Sequence, residues 1–200
     1  IDGLRALAVL SVVFYHLKIS YFDGGFIGVD IFFVISGYLI TSIILRELIH
    51  KGNFSFKSFY QRRVRRILPA LLFVMLVSIP FSWIYIYPLD LIEYSESILY
   101  SLGFGSNFYF HYSGLEYGSP ESLLKPFLHT WSLSVEEQYY VLFPIILFAV
   151  FRYFRKGLFY FLLLSFIISL VLADWGSKNY PSSTFYFLHA RIWELICGSL

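Results

Sequence analysis

Charge is scarce in this sequence. Only 14% of its 200 residues are Asp, Glu, Lys or Arg, against about 25% in an average soluble domain. The composition excludes a disordered chain and leaves no basic arm for nucleic acid. A single cysteine, Cys197, excludes an intrachain disulfide scaffold and leaves the redox compartment unread. There is no glycine-rich phosphate loop, so nucleotide hydrolysis is not expected. No internal repeat and no low-complexity stretch is present, and no metal is expected. What the chain has in abundance is apolar surface. Apolar residues make up 58% and aromatics 22%, more than one soluble core of this size would hide, so the chain reads as a membrane protein. It opens at Ile1 without a methionine and stops at Leu200 inside an apolar run, and so reads as a fragment of something longer.

A membrane-crossing helix needs about 20 mostly apolar residues. Six stretches are expected to span: Leu4–Ser20, Phe26–Leu45, Ile67–Tyr87, Trp131–Phe151, Leu158–Ala173 and Thr184–Leu200. Ile92–Phe104 is apolar but short, and is expected to lie on the membrane or dip into it. The fold class is therefore all-α, a polytopic membrane protein of about six transmembrane helices. Net charge is +2, but its distribution carries more than its sum. The expected loop from Arg46 to Arg66 holds Arg46, Lys51, Lys57, Arg62, Arg63, Arg65 and Arg66, and a second basic loop holds Arg152, Arg155 and Lys156. The long expected loop from Pro88 to Thr130 has only Lys125 against Asp90, Glu93, Glu96, Glu116 and Glu121. By the positive-inside rule the two basic stretches are cytoplasmic, residue 1 is cytoplasmic, and the protein sits in the cytoplasmic (inner) membrane. Asn53-Phe54-Ser55 is then on the wrong side to be a glycosylation acceptor. Aromatics near span ends fit an interfacial belt, and those of the outer stretch (among them Phe108, Tyr109, Tyr112 and Tyr117) either belong to that belt or stack on sugar rings.

Ionisable groups at membrane depth are costly, which makes each a candidate for function. His16 lies about 6 Å below the outer end of the first span, at about 1.5 Å per residue. Asp30, Glu136, Glu137 and His189 fall at comparable depth on three other helices, with Arg191 and Glu194 deeper. A layer shared by four helices is either a site or a rim of interhelical salt bridges. Arg5 and His16 share one helix face and are about 16 Å apart along the axis. Arg62, Arg63, Arg65 and Arg66 are either a topology signal and headgroup clamp or a site for a multiply phosphorylated ligand. Arginine's planar fork suits the second role, and Arg63 and Arg66 converge if the stretch is helical. Gly24, Gly25 and Gly28 open the second span and Ser36-Gly37 interrupts its middle; such small residues either permit close helix packing, the default reading, or loosen the helix where a ligand approaches.

Several blocks resemble the acyltransferase-3 family of membrane acyltransferases. They are Asp2-Gly3-Leu4-Arg5-Ala6 with Tyr15-His16, and Gly25-Phe26-Ile27-Gly28-Val29-Asp30 running on to Ser36-Gly37-Tyr38-Leu39-Ile40. They continue with Gln61-Arg62-Arg63-Val64-Arg65-Arg66, His129-Thr130-Trp131-Ser132-Leu133-Ser134-Val135-Glu136-Glu137-Gln138, and Arg191-Ile192-Trp193-Glu194-Leu195. The resemblance implies transfer of an acyl group, commonly acetyl, from cytoplasmic acyl-CoA to a hydroxyl of an exported glycan such as O-antigen or peptidoglycan. It implies a domain of about ten spans, of which residues 1–200 would be the truncated N-terminal part. It also implies, in some members, an extra extracytoplasmic hydrolase-like domain. The family's arginine-to-histidine motif falls on Arg5 and His16, and its Arg-x-x-Arg motif on Arg63 and Arg66.

These expectations join into one route. Arg63, Arg66 and Arg62, with Arg5 nearby, hold the phosphates of acetyl-CoA, whose arm extends towards His16. His16 is the general base or an acyl carrier, and Asp30 orients its ring. Glu136 or Glu137 binds acceptor hydroxyls or serves as a second acid or base, with Ser134 and His129 as weaker candidates. Expected partners are the bilayer, acyl-CoA and the glycan acceptor, not nucleic acid. The rival class is a transporter with an intramembrane His/Asp/Glu relay, and a third is a scaffold in which every charge is structural.

Overall fold

The structure is a computed structural model that describes residues 1–114, 122 and 125–200. Glu116, Tyr117 and Glu121 therefore lie outside the described residues. The architecture is all-α. Helices α1 (Asp2–His16), α2 (Gly28–Lys51), α3 (Phe56–Tyr85) and α4 (Pro88–Leu102) are followed by α5 (Ser106–Tyr112) and α6 (Thr130–Tyr153). The chain continues through α7 (Leu158–Asn179), α8 (Pro181–Tyr186) and α9 (Leu188–Cys197).

Among the described residues, four helices are long and apolar enough to cross a membrane: α2 with the 3-10 turn before it, α3, α6, and α7 with the turn before it. Two of the six expected spans are shorter than their sequences predicted. Helix α1 has 15 residues, about 22 Å at 1.5 Å per residue. The predicted span Thr184–Leu200 breaks at Phe187, whose backbone is extended at φ −98° and ψ 144°. The break has a packing cause. Trp131 takes the Phe185 ring at 4.5 Å, while His111 takes the next aromatic but one, Phe187, also at 4.5 Å. One continuous helix does not deliver those two rings to such separate partners.

The basic stretch also differs from expectation. Helix α2 runs through Lys51 and α3 starts at Phe56, so most of these cations lie on helices. Gly52, at φ +69°, closes α2 in the left-handed region that glycine enters without penalty. The Ser55 hydroxyl then caps α3 by accepting from the Ser58 N–H at 3.4 Å. Likewise the stretch after Pro88 is no open loop. It holds α4, which contains the short apolar run expected to lie on or dip into the membrane, and α5.

The centre of the bundle is α2, with α1 and α9 packed along it and α6 crossing it. Two glycines allow the α2–α9 approach. A Cβ on Gly37 would strike the Leu195 carbonyl, and one on Gly198 would strike the Val34 carbonyl. Helices α4, α5 and α6 are joined by hydroxyls. Ser101 and Thr130 lie 2.7 Å apart, Thr130 donates to Ser106 at 2.9 Å, and Ser106 meets Ser134 at 2.8 Å. In an apolar medium such bonds replace water that is absent.

Candidate functional site

The first cluster centres on Glu136. It is buried, and its carboxylate accepts hydrogen bonds from the Ser36 hydroxyl on α2 and from Tyr140 one turn along α6. Arg5 on α1 and Arg63 on α3 both lie within electrostatic reach of it. Arg63 is half-buried and lies over the Tyr140 ring at 5.2 Å and the Phe59 ring at 5.5 Å. Arg5 lies over Phe32 at 5.5 Å, and its buried Nε makes no hydrogen bond among the described residues. Glu137 is also buried, with Oε1 unbonded. Two cations and two carboxylates thus share one apolar centre, an arrangement that leaves hydrogen-bonding capacity open on both signs.

This placement corrects the single outer layer read from depth. Glu136 and Glu137 belong with Arg5 and Arg63, not with the outer histidine. Counting along single helices missed this because α3 begins seven residues before Arg63 and carries that arginine into the bundle.

A groove of about 510 Å³ runs beside this centre. Helix α1 supplies apolar wall at Ala8, Val9 and Val12, and α3 supplies Ala70 and Leu71. Arg66 and Glu136 contribute its charged groups, and His129 also lines it, seven residues before Glu136. Those seven residues are about 10 Å of helix. His129 lies within electrostatic reach of His16, so two imidazoles lie towards the end of the groove away from the arginines. The His16 Nδ1–H donates to the Val12 carbonyl at 2.8 Å. In the neutral ring this leaves the lone pair on Nε2, the state a general base requires. Arg62, by contrast, is exposed and donates to the Ser58 hydroxyl at 2.5 Å.

The third cluster joins α2 to α9. Asp30 accepts from Arg191 at 3.1 Å, and Glu194 accepts from the same guanidinium nitrogen at 2.7 Å. Arg191 also lies over the rings of Trp131 and Phe185, at 5.6 and 5.1 Å. The observed partner of Asp30 is therefore Arg191, and the ring nitrogen of His16 is tied to its own helix. His189 is exposed beside this cluster. Ser134 is buried within the hydroxyl chain.

Sequence reading did not find Ser36 and Tyr140 as the grip on Glu136. A serine beside a glycine in mid-span was the available signal, and it was read as packing. Among the described residues no group of three or more His, Cys, Asp or Glu is arranged to hold a metal ion.

The chain is 38% identical to peptidoglycan O-acetyltransferase OatA of Listeria monocytogenes, over 99% of its own length and 32% of the relative. It is 36% identical to O-acetyltransferase OatA of Staphylococcus aureus, over 86% of its length and 28% of the relative. It thus spans about a third of the length of these relatives. No solved structure matches it significantly. The acyltransferase domain family matches residues 1–198, and this multi-pass, all-α membrane chain belongs to that family.

Proposed function

We propose that the chain carries the donor site and transfer centre of a membrane O-acetyltransferase. In this reading it is the N-terminal part of one transmembrane acyltransferase domain in a larger protein. The protein sits in the cytoplasmic membrane with residue 1 inside, moves acetyl from cytoplasmic acetyl-CoA, and delivers it to a hydroxyl of an exported glycan. A fused or partner hydrolase-like domain would act outside. One observation carries the reading: a single apolar groove is lined by Arg66 and Glu136 and, towards its other end, by His129, which is near His16.

The residues fit the donor. Arg66 and Arg62 are exposed, and together with Arg63 they offer forked donors to phosphate oxygens. The narrow apolar wall suits a flexible thioester arm. Arg5 and Arg63 lie within electrostatic reach of Glu136, and the unbonded polar atoms of Arg5 and Glu137 are available to the amides of that arm.

His16 Nε2 takes the proton of the acceptor hydroxyl as its oxygen bonds to the thioester carbonyl carbon. The carbon–sulfur bond then breaks, and the sulfur leaves with its electron pair and recovers the proton from the imidazolium. The Val12 carbonyl, holding Nδ1–H, keeps the ring in the tautomer this requires.

The test is CoA release from labelled acetyl-CoA by the full-length protein in membranes, with and without a glycan acceptor. His16→Ala is expected to abolish transfer while the protein stays inserted. Arg63→Ala with Arg66→Ala is expected to weaken acetyl-CoA binding. Retained acetylation in His16→Ala would sink the mechanism, and solute flux without CoA release would favour a transporter.

A further inference from the structure

A second, larger cavity of about 810 Å³ lies where the far end of α3 meets α4 and α5. Tyr85, Tyr87, Asp90, Glu96, Tyr100 and Tyr112 are among its walls. From Arg66 to Tyr85 along α3 is 19 residues, about 29 Å of rise. The cavity is therefore at the opposite membrane face from the arginines.

Its chemistry is two-sided. Aromatic faces meet the apolar C–H face of a ring, and carboxylates accept hydrogen bonds from hydroxyl groups. The wall is also built in advance. The Tyr100 ring stacks on Tyr109 at 4.9 Å and 27°. The Tyr109 hydroxyl is shared between the Glu93 carbonyl at 3.2 Å and the Glu96 carboxylate at 3.3 Å. Lys125 pairs with Glu93 inside the same cavity, while Asp90 makes no hydrogen bond among the described residues.

A lipid-facing aromatic belt does not account for carboxylates facing the same space as the rings. A cation cage does not account for Lys125 there. The cleft also adjoins the groove. Lys125 and Pro126 line the cleft, while Phe127 and His129 line the groove, so adjacent residues of the chain serve the two.

We infer that this cleft binds the sugar chain of the acceptor, its rings against the tyrosines and its hydroxyls on Asp90 and Glu96, so that a further hydroxyl reaches the histidine end of the groove. The inference rests on the glycan-acceptor reading above and names where that acceptor is held.

The test uses the full-length protein in nanodiscs with a diazirine-bearing chito-oligosaccharide, and maps the cross-links by mass spectrometry. Labelled peptides are expected from residues 85–113, displaced by unlabelled oligosaccharide. Asp90→Asn with Glu96→Gln keeps side-chain shape and is expected to cut labelling about tenfold, the loss of one or two hydrogen bonds. Gly3→Ala, where the added methyl meets open space away from both cavities, is the control in the same assay and is expected to label as the wild type does. If the labelling falls outside residues 85–113, or persists in the variant, the inference is overturned. Displacement by tetramethylammonium but not by oligosaccharide overturns it in favour of a cation site. Failed acetyl transfer with intact labelling would count against the transfer reading alone.

Discussion

Glu136 shows how much one side chain organises here. It accepts from the Ser36 and Tyr140 hydroxyls and lies within electrostatic reach of Arg5 and Arg63, so removing it leaves two buried hydroxyls without their acceptor. Glu136→Ala should destabilise the protein by about 1–3 kcal/mol, the cost of leaving buried hydrogen-bonding groups unsatisfied. Thermal unfolding in detergent, followed by circular dichroism, checks this, and a variant that melts with the wild type refutes it. Tyr109 offers a pH-dependent case outside the spans. Burial, and then the neighbouring Glu96 carboxylate, push its phenol up to about 12. A raised phenol favours the neutral form in the fold. Its contribution is therefore fully present below the ordinary value of about 10, and is lost as pH rises through about 12. Alkaline titration by tyrosinate absorbance should show this late step, and Tyr109→Phe should remove it. At this scale local spacing was legible, as in the placing of Arg5 and His16 on one helix. The sequence was silent where the partner came from another helix, as with Ser36 for Glu136 and Arg191 for Asp30.

Elements were legible in proportion to their length. Long apolar runs fixed α2, α3, α6 and α7 because no other structure satisfies so much backbone in lipid. The ends were less legible, since α3 begins in residues whose polarity suggested a loop, and a short N-cap at Ser55 decides that start. The break at Phe187 depends on where two rings find partners, which periodicity within one segment does not carry. The α2–α9 contact rests on the absence of two side chains. Gly37→Ala would press a methyl group into the Leu195 carbonyl and force the helices apart, at a cost of about 1–3 kcal/mol. Because Arg191 and Asp30 sit on the same helix pair, the shift should also lower acetyl transfer. Both effects are read on one purified variant, and neither should appear in Gly3→Ala, where added bulk meets open space.

For the molecule as a whole, the arginine cluster and the aromatic cleft lie at opposite ends of α3. In a protein whose Cys197 is replaced by Ser, cysteines placed at Asn53 and at Tyr87 should react with a membrane-impermeant maleimide from opposite sides of the membrane. Labelling of both from one side would invert or collapse the proposed topology. The overall class, a multi-pass helical membrane chain, was legible from composition and charge distribution alone. The division into a groove and a cleft was not, because both are made by residues far apart in sequence. Among the described residues, the short segment from Lys125 to His129 lines both cavities, as α3 does.

The break at Phe187 has a consequence for the charged cluster beside it. A broken helix leaves carbonyls that a continuous one would have bonded. Arg191 Nε donates to the Phe185 carbonyl at 3.3 Å, and the Asn107 amide donates to the Tyr186 carbonyl at 3.2 Å. The guanidinium that pairs with Asp30 and Glu194 thus also completes the backbone bonding at the break. The charge of the cluster and the bend of the chain are held by one side chain, so neither changes alone.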